Sequence, residues 1–292
     1  MSIDTPAATD MIETLPPRQP WRRALRQGRI RLGLAMIGLT LAVAFIGPFA
    51  APNDPAALVA APYDPPGPGL WLGADMLGRD VFSRFLNGGR NLVWMSVCST
   101  LIALALGGAI GLTAAYARGL TDQVLMRLVD VKLAFPSIVF ALLFVTMFGP
   151  GLPLLVLLVG ISQAPNVARV MRGAALSVVD REFVWWARMV GLPPSTILRR
   201  EILPNVTAPL LVEGGLRLMW STSMLAGLSF LGYGIQPPLA DWGLMINENR
   251  NALTIQPFAV LGPIVGIGLF TIGGNMLAEG ISRILSRTEG GA

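Results

Sequence analysis

The chain has 292 residues, of which 53% are hydrophobic and 13% charged, and its mean hydropathy is +0.61; these values exclude an ordinary soluble domain and indicate several membrane spans. A net charge of +5 without a single histidine removes histidine-based acid/base chemistry and histidine metal ligation. Cys98 is the only cysteine, so no disulfide framework exists, and the only lysine, Lys132, follows Val131 with no glycine-rich loop, so the chain cannot cradle ATP phosphates in a GxxxxGK[ST] loop.

Residues 1–31 read as a cytoplasmic tail, partly disordered. They hold Pro6, Pro16, Pro17 and Pro20, and a basic cluster of Arg18, Arg22, Arg23 and Arg26 around Trp21. The apolar run that follows starts too late and is too long for a cleavable signal peptide. The first span is expected over 32–51, uncharged for about 20 residues, enough to cross ~30 Å of hydrocarbon. Residues 52–90 form an extracytoplasmic segment whose proline-rich start cannot be regular. Its end carries a short surface helix with Asp75 as cap and Val81, Phe82 and Phe85 on the apolar side.

Residues 91–281 read as a core of five further spans. The second span, about 91–117, carries Gly107-x-x-x-Gly111, a spacing that lets another helix approach closely. A charged connector with helical period leads to Lys132. From Leu133 to Ala168 the chain is uncharged but interrupted by Gly149-Pro150-Gly151 and Pro153. At 1.5 Å per residue that covers about 54 Å, slightly short of two crossings, so a tight helical hairpin is expected, with one re-entrant excursion as the alternative.

Residues 180–205 read as a short helix, a Gly-Pro-Pro break and a second short helix. Asp180 is the expected cap of the first, with Glu182 in its first turn. Gly191 supplies the left-handed residue that ends it, Ser195 caps the second helix, and Pro204 terminates that one. Such a segment either exposes a face for a partner or rests on lipid with Trp185 and Trp186 as interfacial anchors. The fifth span, about 206–231, contains Glu213 and Arg217, four residues apart on one face. An ion pair facing other helices is expected, since an unpaired arginine deep in a span costs ~2.5–3.5 kcal/mol on insertion scales; snorkelling to the surface is the alternative. An external loop over 233–256, a sixth span over about 257–278 with Gly262-x-x-x-Gly266, and a tail over 282–292 complete the chain.

The arginines orient this array. Segments 1–31, 118–132, 169–205 and 279–292 hold 17 of the 22 Lys and Arg residues, whereas 52–90 and 233–256 hold 4. Cationic loops stay inside, so both termini and the 180–205 segment are expected in the cytoplasm. The same asymmetry accounts for a pI near 10.3 without nucleic acid.

The 180–205 segment resembles the coupling segment of ABC importer permeases, in which Glu-Ala-Ala is followed by Gly and then Ile-x-Pro. Ala187, Gly191, Ile202, Leu203 and Pro204 fall on that pattern. Met126–Ser137, Gly73–Arg84 and Ala226–Gly243 resemble signatures of the oligopeptide/dipeptide/nickel branch, in particular its second type of permease subunit. Trp185 and Trp186 replace the Glu and first Ala, and Leu225 stands where members often carry Glu. The resemblance covers about Leu32 to the C-terminus. It implies an all-α integral membrane fold of six spans in the bacterial cytoplasmic membrane, with a coupling helix between spans four and five. It further implies a second homologous permease, two ATPase subunits that hold ATP and Mg, and an extracytoplasmic substrate-binding protein. On this resemblance the coupling residues are Glu182, Phe183, Trp185, Trp186, Ala187, Arg188, Gly191, Ile202, Leu203 and Pro204, with Ala187 marking close approach to the ATPase. The implied cargo is a di- or oligopeptide, a nickel chelate or a related solute. An ion-coupled secondary transporter, which calls for inverted repeats and midplane coupling residues, is the reading from another class. An intramembrane hydrolase lacks histidine and any evident activated nucleophile.

Overall fold

The computed structural model describes residues 28–289; the basic cluster around Trp21 lies outside them. Helix α1 spans Gly28–Phe45 and is followed by a single 3₁₀ turn, Gly47–Ala50. The expected first span thus starts four residues earlier and ends in a turn at Pro48, which lacks the N–H a continuing helix needs. Helix α2, Val81–Ala117, fuses the expected surface helix and second span into one rod of 37 residues. Its cap is Asp80, not Asp75: the Asp80 carboxylate accepts from Phe82 N and Ser83 N.

Helix α3, Gly119–Ala134, and helix α4, Ser137–Phe148, are bent by 82° at Phe135-Pro136. Pro136 lacks an N–H and pushes Phe135 to an extended conformation, φ −89° and ψ 127°, so the helix stops. Helix α4 has only 12 residues, about 18 Å, too short to cross alone. The expected hairpin is therefore a bent pair followed by one long helix, α5, Leu152–Val179. By length and composition four helices suffice to cross a membrane (α1, α2, α5 and the Phe258–Ser282 stretch), or five when the bent pair counts as one.

Beyond α5 come α6, Glu182–Met189, and a broken run: Pro194–Thr196 α-helical, Ile197–Ile202 π-helical, Leu203–Asn205 α-helical again. Helix α7 is Thr207–Phe230. The expected external loop contains a helix, α8, Trp242–Asn249, capped by Asp241. Helix α9 begins at Phe258 and runs to Glu289, so the residues expected as a tail up to that point are helical.

The bundle is organised on α2 against α5. A Cβ at Gly107 or Gly111 would run into the backbone oxygens of Ala164 and Ala168, and one at Gly160 would lie 2.7 Å from Ile102 Cγ2. The Gly107-x-x-x-Gly111 spacing is thus a packing seam, as its sequence indicates. Gly266 meets a side chain instead, the ring of Trp242 at 3.0 Å. That tryptophan is fully buried, sits against Gly88 and Gly89, stacks on Phe85 at 5.5 Å and donates from Nε1 to Phe85 O at 2.8 Å. Two cores result. One, at the end of the array that carries α8, gathers Val81, Leu92, Met95, Leu155, Leu228, Trp242 and Met245. The other gathers Leu112, Val167, Met171, Val179, Val184, Ile197 and Ile202 at the opposite end.

Candidate functional site

Helix α6 is built without the cap expected of Asp180. Arg181 is its N-cap and provides no side-chain bond. Asp180 instead closes α5 and pairs with Arg118 at 2.6 Å. Glu182 lies in the first turn of α6, where negative charge opposes the positive helix end. At the other end Gly191 has φ +80°, with its N–H on Arg188 O at 3.0 Å and Leu192 N–H on Ala187 O at 3.1 Å. This pair of bonds is the Schellman arrangement, and it needs a residue that tolerates positive φ. Ser195 caps nothing; Pro193 precedes the next turn, and the run continues past Pro204 to Val206.

The two faces of α6 differ sharply. Val184 and Ala187 are buried and belong to one cluster with Val178, Val179, Ile197 and Ile202. Ala187 is therefore packed on by its own chain. Outward stand Trp185 and Trp186, both 64% exposed, with Met189, Val190 and, less fully, Phe183. Arg188 lies over the Tyr116 ring at 4.4 Å. Ile202 is buried, Leu203 half-buried and Pro204 exposed. Ion pairs Arg172–Asp122 and Arg169–Asp130, both 2.6 Å, tie the lower part of α5 to α3 beside this segment.

Glu213 and Arg217 lie on α7, as their spacing predicts, with Arg217 Nε 2.8 Å from Glu213 Oε1. Both atoms are buried and off the line of a hydrogen bond, so the contact is an ion pair held by charge. Arg217 Nη1 also donates to Gln163 Oε1 on α5 at 3.0 Å. The alternative of two snorkelling side chains does not fit, since Glu213 is 4% exposed.

Sequence reasoning missed a second ionic cluster, at the end of the array that carries α8. Asp75 is fully buried; its Oδ1 accepts from Leu77 N and Arg79 N, and its Oδ2 lies 2.7 Å from Arg79 Nε. Glu248 Oε2 on α8 accepts from Arg79 Nη2 at 2.7 Å and Arg84 Nη2 at 2.9 Å. The cluster joins the proline-rich segment, α2 and α8. The only signal for it was charge inside the Gly73–Arg84 signature, which says nothing of a partner more than 160 residues away.

Over residues 107–289 the chain matches the family described as "Binding-protein-dependent transport system inner membrane component". The chain belongs to this family. Among its relatives, the glutathione transport system permease protein GsiD of Pectobacterium atrosepticum is 36% identical over 286 residues, covering 96% of this chain and 94% of the relative. The protein of that name from Escherichia coli O6:K15:H31 is 35% identical over 274 residues, covering 93% and 90%. A chain of the inward-facing MetNI methionine ABC transporter has the same fold, with TM-score 0.52 at 16% identity, covering 66% of this chain and 94% of that one. This permease is therefore a multi-pass inner-membrane component of an ABC importer of the oligopeptide branch, and not itself a catalyst. Family membership also sets aside the ion-coupled secondary transporter.

Proposed function

We propose that this permease works with a second, homologous permease and two ATPase subunits, which bind the ATP and Mg, and passes peptides released by an extracytoplasmic binding protein into the cytoplasm. A peptide cargo is supported by relatives named as glutathione permeases, glutathione being a tripeptide. Helix α7, 24 residues and about 36 Å long, serves as the fifth of six spans, its charges satisfied within the bundle. Both termini and the 180–205 segment lie on the cytoplasmic side, consistent with the arginine distribution.

The observation that carries the coupling role is the division of α6. Its inner face is fixed by Val184 and Ala187, and the Gly191 turn sets its exit, so it moves with the bundle as one body. Its outer face presents Trp185, Trp186 and Met189 to whatever docks there. Aromatic and methionine side chains are the anchors expected of a protein groove. In this chain they stand where the family pattern has Glu and Ala, so the contact with the ATPase is apolar and aromatic. Membrane lipid meets the exposed sides of the spans.

The test is Trp185→Ala with Trp186→Ala, in cells that express the whole importer. Both side chains point outward, so abundance in the membrane stays at the parental level. Losing two aromatic anchors costs roughly 2 kcal/mol or more each, so ATPase co-purification and uptake fall at least tenfold. Unchanged co-purification and uptake would overturn the coupling role and return α6 to the lipid surface.

A further inference from the structure

A cavity of about 590 Å³ opens beside the Glu213–Arg217 pair, between α4, α5 and α7. Its lining includes Ser137, Gln163, Asn166, Arg217, Trp220 and Ser223, and no Asp or Glu. The volume falls in the range of small-molecule sites, roughly 300–1,000 Å³. Gln163 lies eleven residues into α5 and Arg217 ten residues into α7, so each is about 15–17 Å from the helix end at which its chain enters. The cavity is thus at mid-depth of the array, out of reach of lipid headgroups at either surface.

Its charge is lopsided. Arg217 points one nitrogen at Glu213 and gives a second to Gln163, while Nη2 makes no hydrogen bond among the described residues and is not enclosed by protein. Lys132 stands behind the same wall, its Nζ bonded to Ser162 O at 3.0 Å and Ser137 Oγ at 3.3 Å. Arg217 is thus the one charged group of the lining, paired with Glu213 on its own helix, while Lys132 is bonded to the lining residue Ser137. Around them are hydroxyl and amide groups that can donate, and the 60% exposed Trp220 offers an apolar surface.

We propose that this cavity is a way-station for the solute and that Arg217 receives its carboxylate. On the importer reading, on which this rests, the ligand is the C-terminal carboxylate of a peptide. Arg217 Nη2 and Nη1 present the planar fork that matches two carboxylate oxygens, with Asn166 and Ser223 as further donors. Glu213 is the resident counter-ion. It keeps Arg217 neutralised when the cavity is empty, because an unpaired arginine at this depth is costly. Its contact is misaligned for hydrogen bonding, so an incoming carboxylate with better geometry competes for the guanidinium without leaving it bare.

The experiment uses the intact importer with Cys98→Ser as the parent. Uptake of a labelled dipeptide is compared with uptake of the same dipeptide amidated at its C-terminus. Glu213→Gln combined with Arg217→Gln removes both charges together, so no buried charge is stranded and the complex still assembles. The binding protein is the same throughout, so its own preference cancels in the ratio between variant and parent. The free acid is expected to lose about tenfold to a hundredfold in uptake, the worth of a charge-assisted hydrogen bond or two, while the amide is unaffected. Equal loss for both peptides at normal abundance makes the pair structural and overturns the site, as does no change for either. If the parent does not import the amide, Arg217→Cys decides. Its lost uptake returns on modification with a cationic thiol reagent and not with a neutral one of similar size; equal behaviour of the two reagents overturns the site. Loss of ATPase co-purification from the parent itself would instead defeat the importer reading.

Discussion

Asp241 is fully buried at the head of α8, and burial pushes its carboxyl up to about 6, against an ordinary 3.8; the amide of Leu244 and the hydroxyl of Ser229 oppose the shift only in part. Between pH 4 and pH 6 the unfolded chain loses this proton while the folded one keeps it. The folded state then binds more protons, so this group's contribution to stability falls as pH rises through that window and levels off above it. The full effect is roughly 3 kcal/mol. Asp241→Asn keeps an acceptor for Leu244 N and removes the titration. In detergent, the melting temperature of the Asn variant should rise relative to the parent from pH 4 to pH 6 and then hold a constant offset. A constant offset over the whole range would mean that Asp241 does not titrate there. Ala187, by contrast, is uncharged and tests shape alone. At 8% exposure among Val184, Ile197 and Ile202, it has no room for an indole. Ala187→Trp should cost ~1–3 kcal/mol of stability and displace α6, with uptake falling accordingly. Parental stability and uptake would mean that the inner face of α6 is loosely packed.

At the scale of elements, the residues that decide the architecture are those whose partners lie far along the chain. Helix α6 was legible because its stop signal is local: Gly191 followed by two prolines allows little else. The seam at Gly107 and Gly111 was legible too, because small residues one turn apart are themselves the contact surface. Helix α8 was hidden. Its polar residues, Asp241, Asn247, Glu248 and Asn249, read as loop, yet Glu248 and Asn249 are consumed by Arg79, Arg84 and Met76 N, which lie more than 160 residues earlier in the chain. The same displacement explains the missed cap of α2, since Asp75 is spent on Arg79 and Arg84 and leaves the helix end to Asp80. The charged pair on α7 announced itself by spacing, but its third partner, Gln163, could not be found without the packing of α5. Trp242 is the keystone of α8, filling the space that Gly88, Gly89 and Gly266 leave open. Trp242→Ala should therefore cost ~3–5 kcal/mol, visible as a lower melting temperature and earlier proteolysis of the 233–256 stretch. Loss of no more than ~1 kcal/mol would show that α8 is held by the Glu248 ion pairs alone.

At the scale of the whole molecule, the two ends of the bundle are held differently. One end is closed by a buried ionic cluster, Asp75, Arg79, Arg84 and Glu248, wrapped in apolar core. The other carries exposed arginine pairs and the protruding α6. On the proposed function, cargo arrives at the first end and the ATPases act on the second. The loop charges predict the orientation, since the segments flanking α6 are rich in arginine and those flanking α8 are not. Labelling positions must be chosen on exposure: Asp241 is fully buried and a cysteine there would stay silent. Ser195 is exposed beside α6, and Leu239 is 48% exposed just before α8. In the Cys98→Ser parent, Leu239→Cys should react with an impermeant maleimide added to intact spheroplasts, and Ser195→Cys only after the membrane is opened. That outcome requires an odd number of crossings between Ser195 and Leu239, which makes α7 a span despite its buried charges. Labelling of both positions from outside would put α6 on the extracytoplasmic surface, where no ATPase could reach it.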